Sequence, residues 1–206
     1  GKTEGLQSLI KLKRQVIDLE MLAAHRGSAF GNMPGLTQPA YESFQNKLLE
    51  VWLSLNTQIP VWIEEKGPFL GKLGIPATLY KKMIEAFIVE VDVAFAERLL
   101  HVQNEYSQHD KKFFTSQIRK LESRIGTSAC HKALHYYSVG QLEKCFNLLL
   151  TYYDKGYEKR RELYKPLEVL SIKPSFLENE DAVKDIENRI LSAYKKKTPQ
   201  LLPQGL

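Results

Sequence analysis

Apolar residues recur at helical spacing along most of this chain, and three short runs are β-branched and apolar enough to read as strands. Leu6, Leu9, Ile10 and Leu12 predict a helix over residues 4–12. Phe44, Leu48, Val51, Trp52 and Leu55 predict an amphipathic helix over 41–55. Residues 79–85 and 94–106 carry the same period. The strand-like runs cover 15–19, 59–63 and 86–91, rich in Val, Ile and aromatic residues. Gly and Pro punctuate residues 25–40 and 64–76, which read as loops.

From residue 113 onward only the helical period is visible. Phe114, Ile118, Leu121 and Ile125 form one stripe. Residues 128–137 form another helix, and Leu142, Cys145, Phe146, Leu149 and Tyr153 a third stripe, with Gly126 and Gly140 as stops. Val183, Ile186, Ile190 and Tyr194 define a last helix over 181–196. Strands alternating with helices predict a parallel α/β sheet in the first half, residues 1–107. Residues 108–206 are expected to form an all-helical extension. A length of 206 residues fits one domain with such an appendage.

Composition narrows the class without deciding it. Twenty-nine Lys and Arg against 24 Asp and Glu leave a net charge of +5. That permits an anionic partner but is far from a histone-like excess. No apolar run reaches the ~18–20 residues that cross a bilayer, so no membrane span is expected. The two cysteines, Cys130 and Cys145, lack CxxC spacing, which argues against a thiolate zinc site or redox pair and for two buried small side chains. A reducing cytoplasm is the expected compartment.

Candidate chemistry gathers in the loops. Gly1-Lys2-Thr3 matches the end of a GxxxxGK[ST] phosphate loop and is followed by the predicted helix. On that reading a strand and a Gly-rich turn precede residue 1, and the first strand and most of the loop lie outside this sequence. The alternative is a plain N-terminal tail. His25, Arg26, Gly27 and Ser28 follow a strand, where α/β sheets bind ligands. Arg26 suits a phosphate and the glycine allows close approach, or the segment is a solvated turn. Glu64 and Glu65 end the second strand, where a general base or metal-binding acid would sit. Adjacent strand residues face opposite sides, so at most one faces a common site. Lys155, Lys159, Arg160, Arg161 and Lys165, interleaved with tyrosines, fit a nucleic-acid backbone or a solvated helix face.

Several segments taken in order resemble one family. They are Gly1-Lys2-Thr3; Val16-Ile17-Asp18-Leu19-Glu20 running into Ala24-His25-Arg26-Gly27-Ser28-Ala29-Phe30-Gly31; Gln38-Pro39; and Phe44-Gln45-Asn46-Lys47-Leu48. Trp62-Ile63-Glu64-Glu65, Glu97-Arg98 and Leu149-Leu150-Thr151-Tyr152-Tyr153-Asp154 continue the series. This pattern resembles the P-loop domain of the tRNA 2-selenouridine synthases over roughly residues 1–164. The resemblance implies a P-loop NTPase-like parallel sheet flanked by helices. It also implies a transferase that replaces the sulfur of a wobble 2-thiouridine in tRNA by selenium from selenophosphate. The reaction would pass through an S-geranylated intermediate made from geranyl diphosphate. The family pairs this domain with a rhodanese domain, in the same polypeptide or a separate subunit.

Carried onto this sequence, the resemblance gives Gly1, Lys2, Thr3, Arg26, Gly27 and Ser28 to the diphosphate. Arg26 and Glu64 would serve catalysis, and His25, Phe30 and Trp62 would line the substrate pocket. Lys159, Arg160 and Arg161 would hold tRNA. No metal ligand is assigned, and Mg²⁺ stays open. Neither cysteine lies in a rhodanese-type loop, and Lys66-Gly67 stands where the family usually has a serine. Residues 172–206 lie beyond the resemblance. Two other readings remain: a small-molecule kinase using ATP, or a tRNA-binding module without catalysis.

Overall fold

Two pairs of parallel strands form the centre of the molecule, in a computed structural model that describes residues 2–26, 37–107 and 111–197. Strand β1 (Gln15–Ile17) follows helix α1 (Lys2–Lys11) and pairs in parallel with β2 (Val61–Ile63), Val16 opposite Trp62. Strand β5 (Ile88–Val91) pairs in parallel with β6 (Val169–Ile172), Val89 opposite Leu170. Between them in sequence lies a tight antiparallel hairpin of β3 (Phe69–Leu70) and β4 (Leu73–Gly74).

The strands are apolar on both sides because helices cover both faces. Ile17 and Ile63 point to one layer, where they pack with Phe44 and Leu48 of α3 (Tyr41–Leu53) and Ala23 of α2 (Leu19–Ala23). Leu79 and Met83 of α4 (Ala77–Ile84) join that layer. Val16, Trp62, Val89, Val91 and Leu170 point the other way. There they meet Leu6 and Leu9 of α1, Leu177 of a short 3-10 turn (Pro174–Glu178), and Val183 and Ile186 of α10 (Glu180–Lys197). Contact with the turn is close: a Cβ on Gly5 would lie 2.7 Å from Leu177 Cδ1.

A second core is purely helical. Phe114 and Ile118 of α6 (Lys111–Lys120), Cys130 and Ala133 of α8 (Thr127–Ser138), and Cys145, Phe146 and Leu149 of α9 (Leu142–Arg161) are buried together. The short α7 (Glu122–Ile125) links α6 to α8. Leu99 and Val102 of α5 (Phe95–Ser107) pack on this core. Arg98 fastens α5 to α9 through a two-pronged contact with Asp154, at 2.7 and 3.0 Å.

Parallel strands flanked by helices are present where the apolar runs stand, but among the described residues they form two separate two-stranded ladders, β1–β2 and β5–β6, rather than one continuous sheet. Three further details differ. The first strand stops at Ile17 rather than 19, because the Asp18 side chain accepts from the Met21 backbone N–H and starts α2 there. Residues 64–76 hold the β3–β4 hairpin, turned by Gly71 at φ +61°. The extension expected to be all-helical also supplies β6, which enters the sheet beside β5. Among the described residues no helix is long and apolar enough to cross a membrane.

Candidate functional site at the strand ends

Charged groups collect just beyond the carboxyl ends of β1 and β2, where parallel sheets present their loops. Glu20 stands in the first turn of α2, and Glu64 directly follows β2. Both are buried, at 6% and 7% exposure. Lys66 bridges them, with Nζ 2.5 Å from Glu20 Oε1 and 2.7 Å from Glu64 Oε1. Burial alone would lower the Lys66 pKa, but attraction to Glu64 and Glu20 outweighs it and holds the ammonium above its usual range.

His25 stands beside this cluster and is buried. Its backbone N–H bonds to the Glu20 carbonyl at 3.0 Å, which fixes the residue at the end of α2. Burial, and then the nearby Lys66 ammonium, lower its pKa, so the imidazole is neutral near pH 7. The β3–β4 turn closes over it: a Cβ on Gly71 would lie 2.8 Å from His25 Cδ2 and 2.2 Å from Gln38 Oε1. Gln38 clamps the turn, donating to the Leu70 carbonyl at 2.8 Å and accepting from the Lys72 N–H at 3.1 Å.

The neighbouring Glu65 has other partners. Its carboxylate accepts from the Tyr164 hydroxyl and lies 3.5 Å from Arg160 Nε. Burial and the carboxylate together raise the Tyr164 pKa well above the usual phenol range. The two adjacent glutamates thus have different partners, and both are engaged within the fold.

Arg26 is exposed. It acts electrostatically on His101 of α5, whose pKa is lowered by burial first and then by neighbouring positive charge including Arg26. His101 Nδ1 lies 3.4 Å from Glu4 in the first turn of α1. The start of α1, the residue after His25 and the face of α5 therefore meet at one place. Lys2 and Thr3 open α1. Gly1, Gly27, Ser28 and Phe30 lie outside the described residues.

Trp62 is partly buried and donates its indole N–H to Glu187 of α10 at 3.0 Å. It lines an apolar cavity of about 480 Å³ between β2 and β5. Of the three proposed RNA contacts, Lys159 is exposed, whereas the other two are tied to the sheet. Arg160 reaches Glu65 and stacks over Tyr157 at 4.5 Å, and Arg161 Nη2 lies 2.7 Å from Glu90. Sequence reading missed Lys66 as the centre of the cluster; a lysine two positions after a strand-end glutamate is only a weak signal for a buried pair.

Parallel strands covered on both faces, with a helix rising from the GKT segment and ionic groups at the strand ends, define a P-loop-like α/β domain. A family profile described as tRNA 2-selenouridine synthase AAA domain matches residues 1–144. The chain belongs to that family. A tRNA 2-selenouridine synthase of Aeromonas salmonicida is 31% identical over 154 residues, covering 65% of this chain and 40% of that protein. One from Nitrosomonas eutropha is 35% identical over 109 residues, covering 52% and 28%. One from Salmonella enteritidis is 34% identical over 141 residues, covering 66% and 36%. The chain thus spans well under half the length of these relatives. No solved structure matches.

Proposed function

We propose that this chain is the P-loop part of an enzyme that modifies wobble 2-thiouridine in tRNA to 2-selenouridine. The observation that carries this reading is the family match across residues 1–144, which takes in both the GKT segment and the His25-Arg26 segment. The meeting of the α1 start with Arg26 supports it, since a diphosphate needs several cations and N–H donors at one point.

In the proposed step the thio-sulfur of the uridine attacks C1 of geranyl diphosphate. A carbon–sulfur bond forms, the carbon–oxygen bond breaks, and diphosphate leaves with the electron pair. Charge grows on the departing oxygens, and Lys2, Thr3 and Arg26 are positioned in sequence to offset it. The selenium of selenophosphate then attacks C2 of the uridine, geranyl thiolate leaves with the electron pair of the carbon–sulfur bond, and water cleaves the selenium–phosphorus bond to release phosphate and leave 2-selenouridine. A rhodanese domain, in the same protein or as a partner, completes the enzyme. The buried Glu64 is held by Lys66, so its contribution is to fix the strand end beside His25 rather than to take a proton from solvent.

The test is nucleoside mass spectrometry of 2-thiouridine tRNA incubated with the complete protein and geranyl diphosphate, then selenophosphate. Geranylated and then selenated uridine is the expected result. ATP-dependent phosphorylation of a small molecule, with tRNA unchanged, would overturn the reading in favour of a kinase. Tight tRNA binding without turnover would overturn it in favour of a binding module.

A further inference from the structure

The excess positive charge of this chain lies in one segment. Residues 111–144, from the start of α6 to the first turn of α9, hold seven Lys and Arg against two acids, Glu122 and Glu143. Their net charge of +5 equals that of the whole chain. The rest of the chain then holds 22 basic and 22 acidic side chains, from totals of 29 and 24.

The fold puts this charge on the outside of the helical core. Phe114 and Ile118 of α6 and Cys130 and Ala133 of α8 are buried together. Lys112, Ser116 and Arg119, spaced i, i+4 and i+7, lie on the other side of α6 and are exposed. Lys120, Arg124 of α7, Lys132 of α8 and Lys144 of α9 are exposed as well. Arg119, Lys120, Arg124, Lys132 and Lys144 form no ion pair among the described residues. Arg98, Arg160 and Arg161, by contrast, each have a carboxylate partner. Cations left without acids are costly to crowd together, and an anionic partner relieves that repulsion.

The apolar content of this surface narrows the partner. Among the described residues between Leu100 and Tyr157, Val139 is the one large apolar side chain that is well exposed. A protein interface has an apolar centre, and a helix lying on a bilayer inserts apolar side chains. Neither is offered here. Exposed cations with Ser116, Ser123, Ser128, His131 and His135 among them are suited to phosphate oxygens.

We propose that the outer faces of α6, α7 and α8, with the first turn of α9, hold the phosphate backbone of RNA. The identity of that RNA as tRNA rests on the proposed function. The main footprint thereby shifts from the end of α9, where the sequence pattern placed it, and Lys159 remains a separate contact.

The experiment is filter binding of an unmodified tRNA transcript to the 206-residue chain across a salt series. Arg119→Gln, Lys120→Gln and Arg124→Gln combined should lower the slope of log affinity against log salt by about 2–3, three phosphate contacts, and weaken binding at least 10-fold at low salt. Lys47→Gln, Lys81→Gln and Lys82→Gln remove the same charge from α3 and α4 and should leave the slope unchanged. Circular dichroism checks that each variant is folded. Should the first fail to fold, Lys132→Gln with Lys144→Gln is read instead, with a fall of about 1.4–1.8. An unchanged slope in a folded patch variant would overturn the proposal. So would an equal fall in the α3–α4 control, or binding to phosphatidylserine vesicles that the patch variant loses while its RNA binding stays. The transcript needs no modification chemistry, so failure of the proposed function would appear in nucleoside analysis and leave these slopes intact.

Discussion

Lys66 places its ammonium 2.5 Å from the Glu20 carboxylate, joining residues 46 positions apart at the end of the first strand pair. Both side chains are nearly closed to solvent, at 12% and 8% exposure. Removing the cation would leave Glu20 and Glu64 buried side by side without the ammonium that bridges them. Lys66→Met is expected to destabilise the fold by about 3–5 kcal/mol, the range for breaking a buried pair from one side. Urea denaturation measures it. Adding Glu20→Gln and Glu64→Gln to Lys66→Met should recover much of that loss, and a triple variant no better than the single one would show that the ion pairs are incidental.

The same cluster sets two pH limits. His25 has a lowered folded pKa, so its contribution is present above the ordinary histidine value of about 6.5 and is lost as pH falls through the folded value. Lys66 has a raised folded pKa, so its contribution is complete below the ordinary lysine value and is lost as pH rises through the higher folded one. Unfolding free energy measured from pH 4 to 11 should fall at both ends. His25→Asn should flatten the acid limb and leave the alkaline limb unchanged.

Gly71 is held at φ +61° with Gln38 and His25 against it. An alanine there meets a disfavoured backbone conformation and a carboxamide oxygen only 2.2 Å from its Cβ. Gly71→Ala should cost about 1–3 kcal/mol, the scale of one strained residue, and lower the melting temperature. Gly67, whose Cβ would meet nothing within 4 Å, is the control: Gly67→Ala should be close to neutral.

The parts of this fold readable from sequence are those set by local pattern. Val16-Ile17, Val61-Trp62-Ile63 and Ile88-Val89 announce strands by composition, and the helical stripes announce helices. What escaped is set by distant partners. Val169-Leu170-Ser171-Ile172 is too short and too near Lys165 and Lys173 to stand out, and becomes a strand because β5 offers it an edge. The β3–β4 hairpin has two-residue arms, below any usable period. At the site, His25 and Arg26 stood out by type and position after a strand. Lys66 did not, since its role depends on Glu20, which only the packing of α2 brings near.

The basic end of α9 divides into free and tethered cations, and tRNA binding should reveal this. Lys159→Ala is expected to reduce the salt slope of tRNA binding by about 0.7–0.9, one phosphate contact. Arg161→Ala should change the slope less, because Arg161 is paired with Glu90, and should cost under about 1 kcal/mol of stability as a mostly exposed pair. Filter binding across a salt series distinguishes them. Equal slope changes for the two variants would mean that Arg161 leaves Glu90 for the RNA.

Burial pushes the Cys145 thiol up to about 12, and Cys130 upward as well. Neither is a ready nucleophile at neutral pH. Both should react with a disulfide reagent at pH 8 only as fast as the helical core opens, and much faster in urea. Stoichiometric labelling of the folded protein within seconds would contradict this.

Glu64 and Glu65 are chemically alike and adjacent, yet one answers to Lys66 and the other to Tyr164 and Arg160. This makes the pairing register of β2 self-checking. A slip by one residue would keep the run of apolar side chains nearly unchanged, since Val61, Trp62 and Ile63 are all acceptable inside. It would, however, carry both carboxylates away from their partners, Glu65 from the Tyr164 phenol and the Arg160 guanidinium and Glu64 from the Lys66 ammonium. The charges, rather than the apolar side chains, thus tell the correct alignment of this short strand from its nearest error.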